Sequence, residues 1–154
     1  MTRWLSATEQ QRWRAWIAAR ILLDEQLNRV LVERHGLTLA DYELLVRLSE
    51  SPERRMRMSD LAQMTMASRS RLSHHIDRLS QAGLVTREQC TEDRRGSFAV
   101  LTEAGWAKLV AAAPDHVESV REYFLDALDP ESFAALGAAC QRVADHLEPQ
   151  RCDR

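Results

Sequence analysis

The residues best suited to chemistry lie in one short stretch near the middle of the chain. Within it, Leu72, Ile76 and Leu79 recur at steps of four and three, which predicts a helix with one buried apolar side. The opposite side carries hydrogen-bonding residues: Ser70, Arg71, Ser73, His74 and Arg78, with Ser68 and Arg69 near the helix start. Arginine can bond guanine through two parallel hydrogen bonds, and serine and histidine can reach base edges or phosphates. This set predicts a surface that contacts nucleic acid.

The charge distribution places many basic residues in the same region. The whole chain has a formal net charge of −2, but residues 54–95 contain nine arginines and five acidic residues. This middle segment therefore carries +4, and the rest of the chain carries −6. A local basic block suggests a surface for a polyanion, although such a block taken alone is more often a solvated face.

A helix-turn-helix followed by a hairpin is the arrangement predicted around this stretch. A short helix over 59–65, capped by Ser59, a two-residue connection and the polar helix over 68–82 give the outline. In that geometry the second helix lies in the DNA major groove. Two alternating segments follow, 84–90 and 97–101, with a charged, glycine-containing tip between them. This pattern predicts a β-hairpin, which would form the wing of a winged helix.

Helices are predicted on both sides of this central region. Apolar residues at helical spacing indicate a long first helix over 6–36, whose start has the residues of a capping box. Thr38 caps a second helix, and two further helices follow Thr102 and Asp129. Pro114 lies inside the first of that pair, where we expect a kink or a break.

These elements predict a fold that is mainly α with a small β-hairpin. We expect a single domain over 1–154, with a winged helix-turn-helix lobe over 38–102 and dimerisation helices over 6–36 and 103–148. Apolar residues of the last two helices recur at alternating steps of three and four, as in coiled-coil seams. A monomer would leave such seams partly exposed, so we expect a homodimer.

Several short motifs make the chain resemble the MarR (multiple antibiotic resistance regulator) family. They are Leu61-Ala62, Ser73 to Leu79, Gly83 to Arg87, Asp93-Arg94-Arg95 and Leu101 to Gly105. Together with the order of the helices, the resemblance covers nearly the whole chain. It implies a homodimeric bacterial transcription factor, usually a repressor, that binds a palindromic operator in double-stranded DNA. Members are often released from DNA by a small phenolic or other lipophilic ligand, or by oxidation.

The resemblance also implies roles in DNA binding for the predicted wing. In the family's wing motif, which Asp93-Arg94-Arg95 matches here, the aspartate holds the wing and the last arginine enters the minor groove. The family often has Thr-Arg in the recognition helix where this chain has Ser73-His74. The resemblance therefore predicts the activity without predicting the operator sequence.

An effector site is a further expectation from the same resemblance. The family's ligand pocket lies between the first two helices and the dimer helices, close to the recognition helix. Trp13, Arg20 and Tyr42 are the candidates to bind a small aromatic or lipophilic acid there. Aromatic residues at such spacing are more often part of the core, so both interpretations of Trp13 and Tyr42 stay open.

Side-chain geometry disfavours a metal site or a catalytic site. His74 and His75 are adjacent on a helix, so they point about 100° apart and cannot both face one ion. A triad of Ser73, His74 and Asp77 fails for the same reason, and no oxyanion-hole glycine motif accompanies it. We therefore expect a protein that is not an enzyme and that needs no metal and no cofactor.

The cysteines and the apolar segments indicate a reducing, aqueous location. Cys90, Cys140 and Cys152 are widely spaced and odd in number, which indicates neither a disulfide framework nor a zinc site. The apolar runs are too short for a transmembrane helix, and the first residues lack the features of a secretory signal. We expect a cytoplasmic protein without a membrane partner.

Two alternatives remain at this level. The arginines Arg54, Arg55 and Arg57 either contact phosphates or solvate a loop. The rival function is a winged helix used for contact between proteins, without sequence-specific DNA binding. Such a module would have an apolar face in place of the serine- and arginine-rich one, and no salt-dependent affinity for DNA.

Overall fold

Helices make up most of the protein, whose computed structural model describes residues 1–65, 69–89 and 96–148, without the side chain of Arg69. The helices are α1 Ala7–His35, α2 Leu39–Glu50, α3 Met58–Thr65, α4 Arg69–Gln81, α5 Glu103–Tyr123 and α6 Pro130–Leu147. The strands are β1 Arg55–Arg57, β2 Val85–Gln89 and β3 Ser97–Leu101, in an antiparallel sheet of order β1-β3-β2. The predicted mainly helical winged-helix fold is confirmed.

The helix ends lie where short-range signals place them. Ser6 and Glu9 form the predicted capping box: the Ser6 hydroxyl accepts from the Glu9 N–H, and the Glu9 carboxylate accepts from the Ser6 N–H. Gly36 ends α1 at a φ of 63°, a left-handed conformation that glycine adopts without steric cost. Asp129 accepts from the Ser132 N–H at 2.8 Å, as expected of the cap of α6.

The start of α3 differs from the sequence prediction. The helix begins at Met58, so Ser59 lies in its first turn and is not the cap. The Ser59 hydroxyl donates to the neighbouring Asp60 carboxylate at 3.0 Å. Of the kink or break expected at Pro114, a break does not occur, because α5 continues through that residue.

Strand β1 is an element that the sequence analysis treated as a charged loop. Its three residues pair antiparallel with β3, with Arg55 opposite Val100 and Arg57 opposite Phe98. Three residues are too few to show the alternation that identifies a strand in a sequence. The strand exists because β3, more than 40 positions later in the sequence, supplies its hydrogen-bonding partners.

The core lies where α2, α4 and the sheet meet. Its largest fully buried side chains come from α1 to α4 and from β2: Leu31, Leu45, Leu48, Leu61, Leu72, Ile76, Leu79 and Val85. Helix α5 packs against α1 and α2, which joins the first and last thirds of the chain to this core. The three apolar residues predicted to form the buried side of α4 are all in the core.

Several large apolar side chains on α1, α5 and α6 are exposed within the single chain. They are Trp13, Trp16, Ile21, Leu22 and Val32 on α1, Val110 and Val117 on α5, and Phe133, Val143 and Leu147 on α6. No helix among the described residues is long and apolar enough to cross a membrane. We propose below what covers the exposed side chains.

The close packing at Gly105 gives a test of this fold. A Cβ added there would lie 2.1 Å from the Leu84 carbonyl oxygen and 2.7 Å from Leu101 Cδ1. That carbonyl also accepts the Thr102 N–H at 3.1 Å, so it is held in place. We expect Gly105→Ala to lower the free energy of unfolding by about 1–3 kcal/mol, measured by urea unfolding.

Glycine to alanine inside a helix normally stabilises by about 0.5–1 kcal/mol. The loss expected at Gly105 therefore has the opposite sign to the ordinary effect of this substitution. A more stable Gly105→Ala variant would contradict the packing at Gly105.

Candidate nucleic-acid interface

Helix α4 presents the polar side that the sequence predicts. Leu72, Ile76 and Leu79 are buried, which fixes how the helix is rotated on its own axis. The side chains predicted to contact nucleic acid are consequently directed outward: Ser70, Arg71, His74 and Arg78 are exposed, and Ser73 is half-buried. Ser68 and the side chain of Arg69 lie outside the described residues.

Arg78 differs from the rest of this set because α2 holds its guanidinium group. Its Nη2 donates to both carboxylate oxygens of Asp41 at 2.5 Å and to the Thr38 hydroxyl at 3.2 Å. From the sequence, Arg78 is predicted to contact DNA because it lies on the polar side of the helix. In the structure its guanidinium group also joins the C-terminal half of α4 to the N-terminus of α2.

Asp41 is the centre of this anchor. It is 2% exposed and completes a capping box with Thr38 at the start of α2. Burial by itself would raise the pKa of Asp41, but hydrogen bonds from Arg78, Thr38 and His75 outweigh it, and the net pKa lies below its ordinary value. The carboxylate thus stays charged and binds two elements together. Sequence reasoning missed this role, although Thr38 followed by Asp41 has the spacing of a capping box.

Arg87 of β2 makes a second contact with α4. Its Nη2 donates to the Ser73 hydroxyl at 2.9 Å and to the Ser73 carbonyl at 3.2 Å, and lies 2.8 Å from the Asp77 carboxylate. In the sequence, Arg87 is part of the basic segment and of a family motif, with no contact predicted for it. The structure shows that it connects the strand leading into the hairpin with the polar side of α4.

The arginines before and within β1 stack on aromatic rings. Arg54 lies 4.4 Å from the centre of the Trp106 ring and pairs with Glu103 at 3.1 Å. Arg55 and Arg57 both lie over Phe98, at 4.2 Å and 5.4 Å. These side chains therefore cover the outer face of the sheet and the start of α5. The alternatives considered from the sequence, phosphate contact or a solvated loop, did not include this role.

The turn before β1 has an unusual backbone. Glu53 and Arg54 have φ angles of 54° and 53°, which only a few per cent of non-glycine residues adopt. Such a conformation costs free energy and persists where surrounding contacts enforce it. At this turn the side chain of Arg54 contacts Trp106 and Glu103.

The predicted wing contacts lie outside the described residues. Asp93, Arg94 and Arg95 belong to residues 90–95, whose structure is not described. The strands that carry them are described up to the pair Gln89 and Ser97. The hairpin is thereby confirmed, and the roles of the three residues stay predictions.

The three candidate effector residues are not brought together within one chain. Tyr42 is 7% exposed and its ring lies 4.4 Å from that of His116, whereas Trp13 is 55% exposed and Arg20 is exposed. Asn28 accepts the Leu39 N–H, which marks where α2 meets α1. Trp13 precedes Asn28 by fifteen residues, or about 22 Å along the helix. Tyr42 is therefore part of the core, as one of the two interpretations held.

The junction around Tyr42 contains an unpaired polar atom. The Nδ1 atom of His116 is buried and has no hydrogen-bond partner among the described residues. Burial lowers the pKa of His116, which favours the neutral ring. Next to it, Asp115 binds Arg34 at 2.5 Å and His35 at 2.7 Å, which fastens the end of α1 to α5.

No group of three or more histidine, cysteine or acidic residues with the geometry of a metal site occurs in the part of the chain that the structure describes. Of the cysteines, Cys140 is a free thiol exposed on α6. Cys90 and Cys152 lie outside the described ranges.

The Asp41 anchor predicts a pH-dependent stability. Because the pKa of Asp41 is lowered by folding, its stabilisation is complete above the ordinary value of 3.8 and is lost as pH falls through the lower, folded value. We expect Asp41→Asn to lower the free energy of unfolding at neutral pH by about 1–3 kcal/mol. The difference from wild type should be smaller at a pH below the ordinary value of 3.8, because the wild-type carboxylate takes up its proton as the pH falls.

Urea unfolding of both proteins at the two pH values measures this effect. Glu43→Gln on the same helix is the control, because burial and the charge of Asp24 raise the pKa of Glu43. Removing the Glu43 charge should not destabilise the protein at neutral pH. A pH-independent loss in Asp41→Asn would show that the anchor does not depend on the charge.

Comparisons with known proteins agree with this geometry. Residues 37–97 match the MarR family. AbsC, a MarR family transcriptional regulator from Streptomyces coelicolor, is 53% identical with a TM-score of 0.88, over 96% of this chain and 99% of that one. Another MarR family regulator from the same organism, solved in complex with DNA, is 46% identical with a TM-score of 0.91, over 97% and 93% of the two chains.

A curated relative supports the same assignment. The transcriptional regulator PecS from Dickeya dadantii is 29% identical over 132 residues, which cover 85% of this chain and 78% of PecS. The relatives are transcriptional regulators and not enzymes. Their sequence identity, their coverage and the shared winged helix lead to one conclusion: the chain belongs to the MarR family of transcriptional regulators.

Proposed function

We propose that this protein is a homodimeric repressor that inserts α4 into the major groove of a palindromic operator. The observation that carries the proposal is the polar side of α4, where Ser70, Arg71 and His74 are exposed above a buried apolar stripe. A rival module for protein contact would have an apolar surface at this position. The DNA complex of the 46% identical regulator supports DNA as the partner. Because its target is bacterial DNA, we place the protein in the cytoplasm.

Ser68, Arg69, Ser70, Arg71, Ser73 and His74 form the proposed major-groove surface. Arg71 is suited to bidentate bonding with guanine, and the serines and His74 to single contacts with base edges or phosphates. Arg78 is the exception, because Asp41 holds its guanidinium group. We assign Arg78 to positioning of the helix and the other six to contact with DNA.

The wing supplies the proposed minor-groove contact. Arg95 inserts there, Asp93 orients its guanidinium group and Arg94 faces the phosphates. An arginine suits this position because a narrow A·T-rich minor groove has enhanced negative potential. In support, β2 and β3 pair as far as Gln89 and Ser97, so the hairpin extends toward these residues.

The exposed apolar side chains of α1, α5 and α6 form the proposed dimer interface. Monomeric proteins rarely expose large contiguous apolar patches, and Val117 on α5 and Val143 on α6 are 55% and 59% exposed. The helices over 6–36 and 103–148 would be buried against a second copy. A two-fold dimer also matches a palindromic operator.

A dimer makes a direct prediction for Val117→Glu. A carboxylate at this position would be buried in the interface without a partner, which is unfavourable. We expect sedimentation at micromolar concentration to show a dimer for wild type and a shift toward monomer for the variant. Met64→Glu is the control, because Met64 is similarly exposed but lies on α3. Helix content by circular dichroism verifies folding, and a stable wild-type monomer would refute the dimer.

We also propose release from DNA by a small, weakly acidic aromatic or lipophilic effector. The junction of α1, α2 and α5 is the best-supported place, because the buried Nδ1 of His116, beside Tyr42, has no hydrogen-bond partner among the described residues. Tyr42 follows Asp41, which holds α4 through Arg78, so a ligand that displaces α2 also displaces α4. Trp13 and Arg20 would contribute only from the second copy. Titration of the DNA complex with a panel of such acids tests this mode of release.

The proposed DNA contacts predict two kinds of variant. Arg71→Ala should lose about 1–3 kcal/mol of discrimination at one base position, because it removes a bidentate contact. Arg95→Ala should weaken operator binding at least about tenfold, or roughly 1.4 kcal/mol, with folding and dimerisation intact. Asp93→Ala should cost less, since it removes only orientation.

Fluorescence anisotropy measures these affinities on an operator that wild type selects from random duplexes, and on unselected duplex. Arg47→Ala is the control, because Arg47 is exposed on α2, outside α4, the wing and the proposed dimer helices. Equal losses on both duplexes for Arg71→Ala would show that α4 does not read bases. Undiminished binding by Arg95→Ala at physiological salt would exclude the wing as a contact. Salt-independent binding by wild type would favour the protein-contact alternative.

A further inference from the structure

Arg87 is a residue of β2 whose side chain faces α4 and not the solvent side of the sheet. Alternate residues of a strand share a face, so Arg87 lies on the same face as Val85 and its register partner Ala99, both of which are buried. This face packs against α4. The strand's alternation therefore directs the Arg87 side chain to the recognition helix.

The contacts of Arg87 join two separate elements. One terminal nitrogen, Nη2, reaches the hydroxyl and carbonyl oxygens of Ser73 and the carboxylate of Asp77. Ser73 and Asp77 are one helical turn apart on α4, so the guanidinium group spans that turn. We call these three residues the Arg87 brace.

We propose that Arg87 is a positioning residue for DNA reading, which fixes Ser73 and sets the wing strand relative to α4. This proposal rests on the proposed function. A hydroxyl has one donor hydrogen and two acceptor lone pairs. Because Arg87 donates to the Ser73 oxygen, the hydroxyl hydrogen is left to point elsewhere. The brace thus presents Ser73 to DNA as a donor, which suits an acceptor such as guanine O6, guanine N7, thymine O4 or a phosphate oxygen.

The brace should affect recognition much more than folding. The side chains of Arg87 and Asp77 are 35% and 54% exposed, and exposed ion pairs contribute little to stability. A geometric error at a base contact is costly by comparison, since reading depends on the position of donors and acceptors. Variants of the brace should therefore unfold much like wild type and still bind the operator less well.

Asp77→Asn distinguishes a positioning role from a purely electrostatic one, because the two roles predict opposite effects on DNA affinity. Removing a carboxylate near DNA favours binding to every duplex, since it removes repulsion from phosphates. Loss of the brace instead weakens binding to the operator alone. We expect the ratio of operator to random-duplex affinity to fall about five- to tenfold, roughly 1–1.4 kcal/mol. Asp60→Asn on α3, outside the brace, is the control, and its ratio should not change.

Arg87→Lys and Ser73→Ala complete the test. Lysine keeps the charge but lacks the planar fork of donors. Arg87→Lys should therefore bind the operator less tightly than wild type. Ser73→Ala should cause a similar loss, and Ser73→Ala combined with Arg87→Lys should lose little more than either alone, because the two residues act as a unit. Selection from random duplexes with either variant should relax the preference at the same base position.

The proposal is overturned if Asp77→Asn keeps the wild-type ratio of operator to random-duplex affinity, or if Arg87→Lys retains full operator affinity. The second result would make Arg87 a phosphate contact. If wild type binds no DNA, the proposed function fails, and the brace is tested separately by hydrogen exchange in the free protein. Faster exchange of the α4 amides over 70–76 in Arg87→Lys would support the link between strand and helix, and unchanged exchange would overturn it.

Discussion

The burial of one side of α4 is the constraint on which the rest of the structure depends. Leu72, Ile76 and Leu79 must leave water, and they do so against α2 and the sheet. That burial fixes the rotation of the helix but restricts sliding and tilting less strongly, because apolar contacts have no direction. Directional bonds supply the remaining restraint: Arg78 holds one part of the helix to α2, and Arg87 holds another to β2.

The two restraints have different energetic characters. Asp41 is almost inaccessible to water, so its charge is tolerated only while Arg78, Thr38 and His75 donate hydrogen bonds to it. If one of these donors were removed, the desolvation cost of the Asp41 charge would no longer be compensated. The Arg87 contacts lie near the surface, where water can replace them at little cost to folding. The contact between Arg78 and Asp41 therefore contributes both to stability and to the position of α4. The Arg87 contacts contribute to the position of α4 alone.

Sequence signals that act over short distances predicted most of the architecture. Ser6 with Glu9, the glycine after α1, and the spacing of Leu72, Ile76 and Leu79 are all resolved within one or two helical turns. Contacts between distant residues were not predictable in the same way. β1 depends on a partner strand more than 40 residues later, and Arg78 meets a carboxylate 37 residues earlier. Nothing local distinguishes an arginine that contacts DNA from one that a buried aspartate already holds.

The length of α1 has a mechanical consequence. Its buried residues Leu27 and Leu31, and the link from Arg34 and His35 to Asp115, all lie in its C-terminal third. The first turns of α1 thus extend away from the place where the helix is attached to α5. Trp13 lies eighteen residues from Leu31, about 27 Å, so a tilt of about 5° moves its backbone by roughly 2 Å. A small rearrangement where α1 contacts α5, such as a changed side-chain rotamer, would therefore produce a larger displacement near Trp13. That displacement is large enough to alter how the side chains of two packed helices interdigitate.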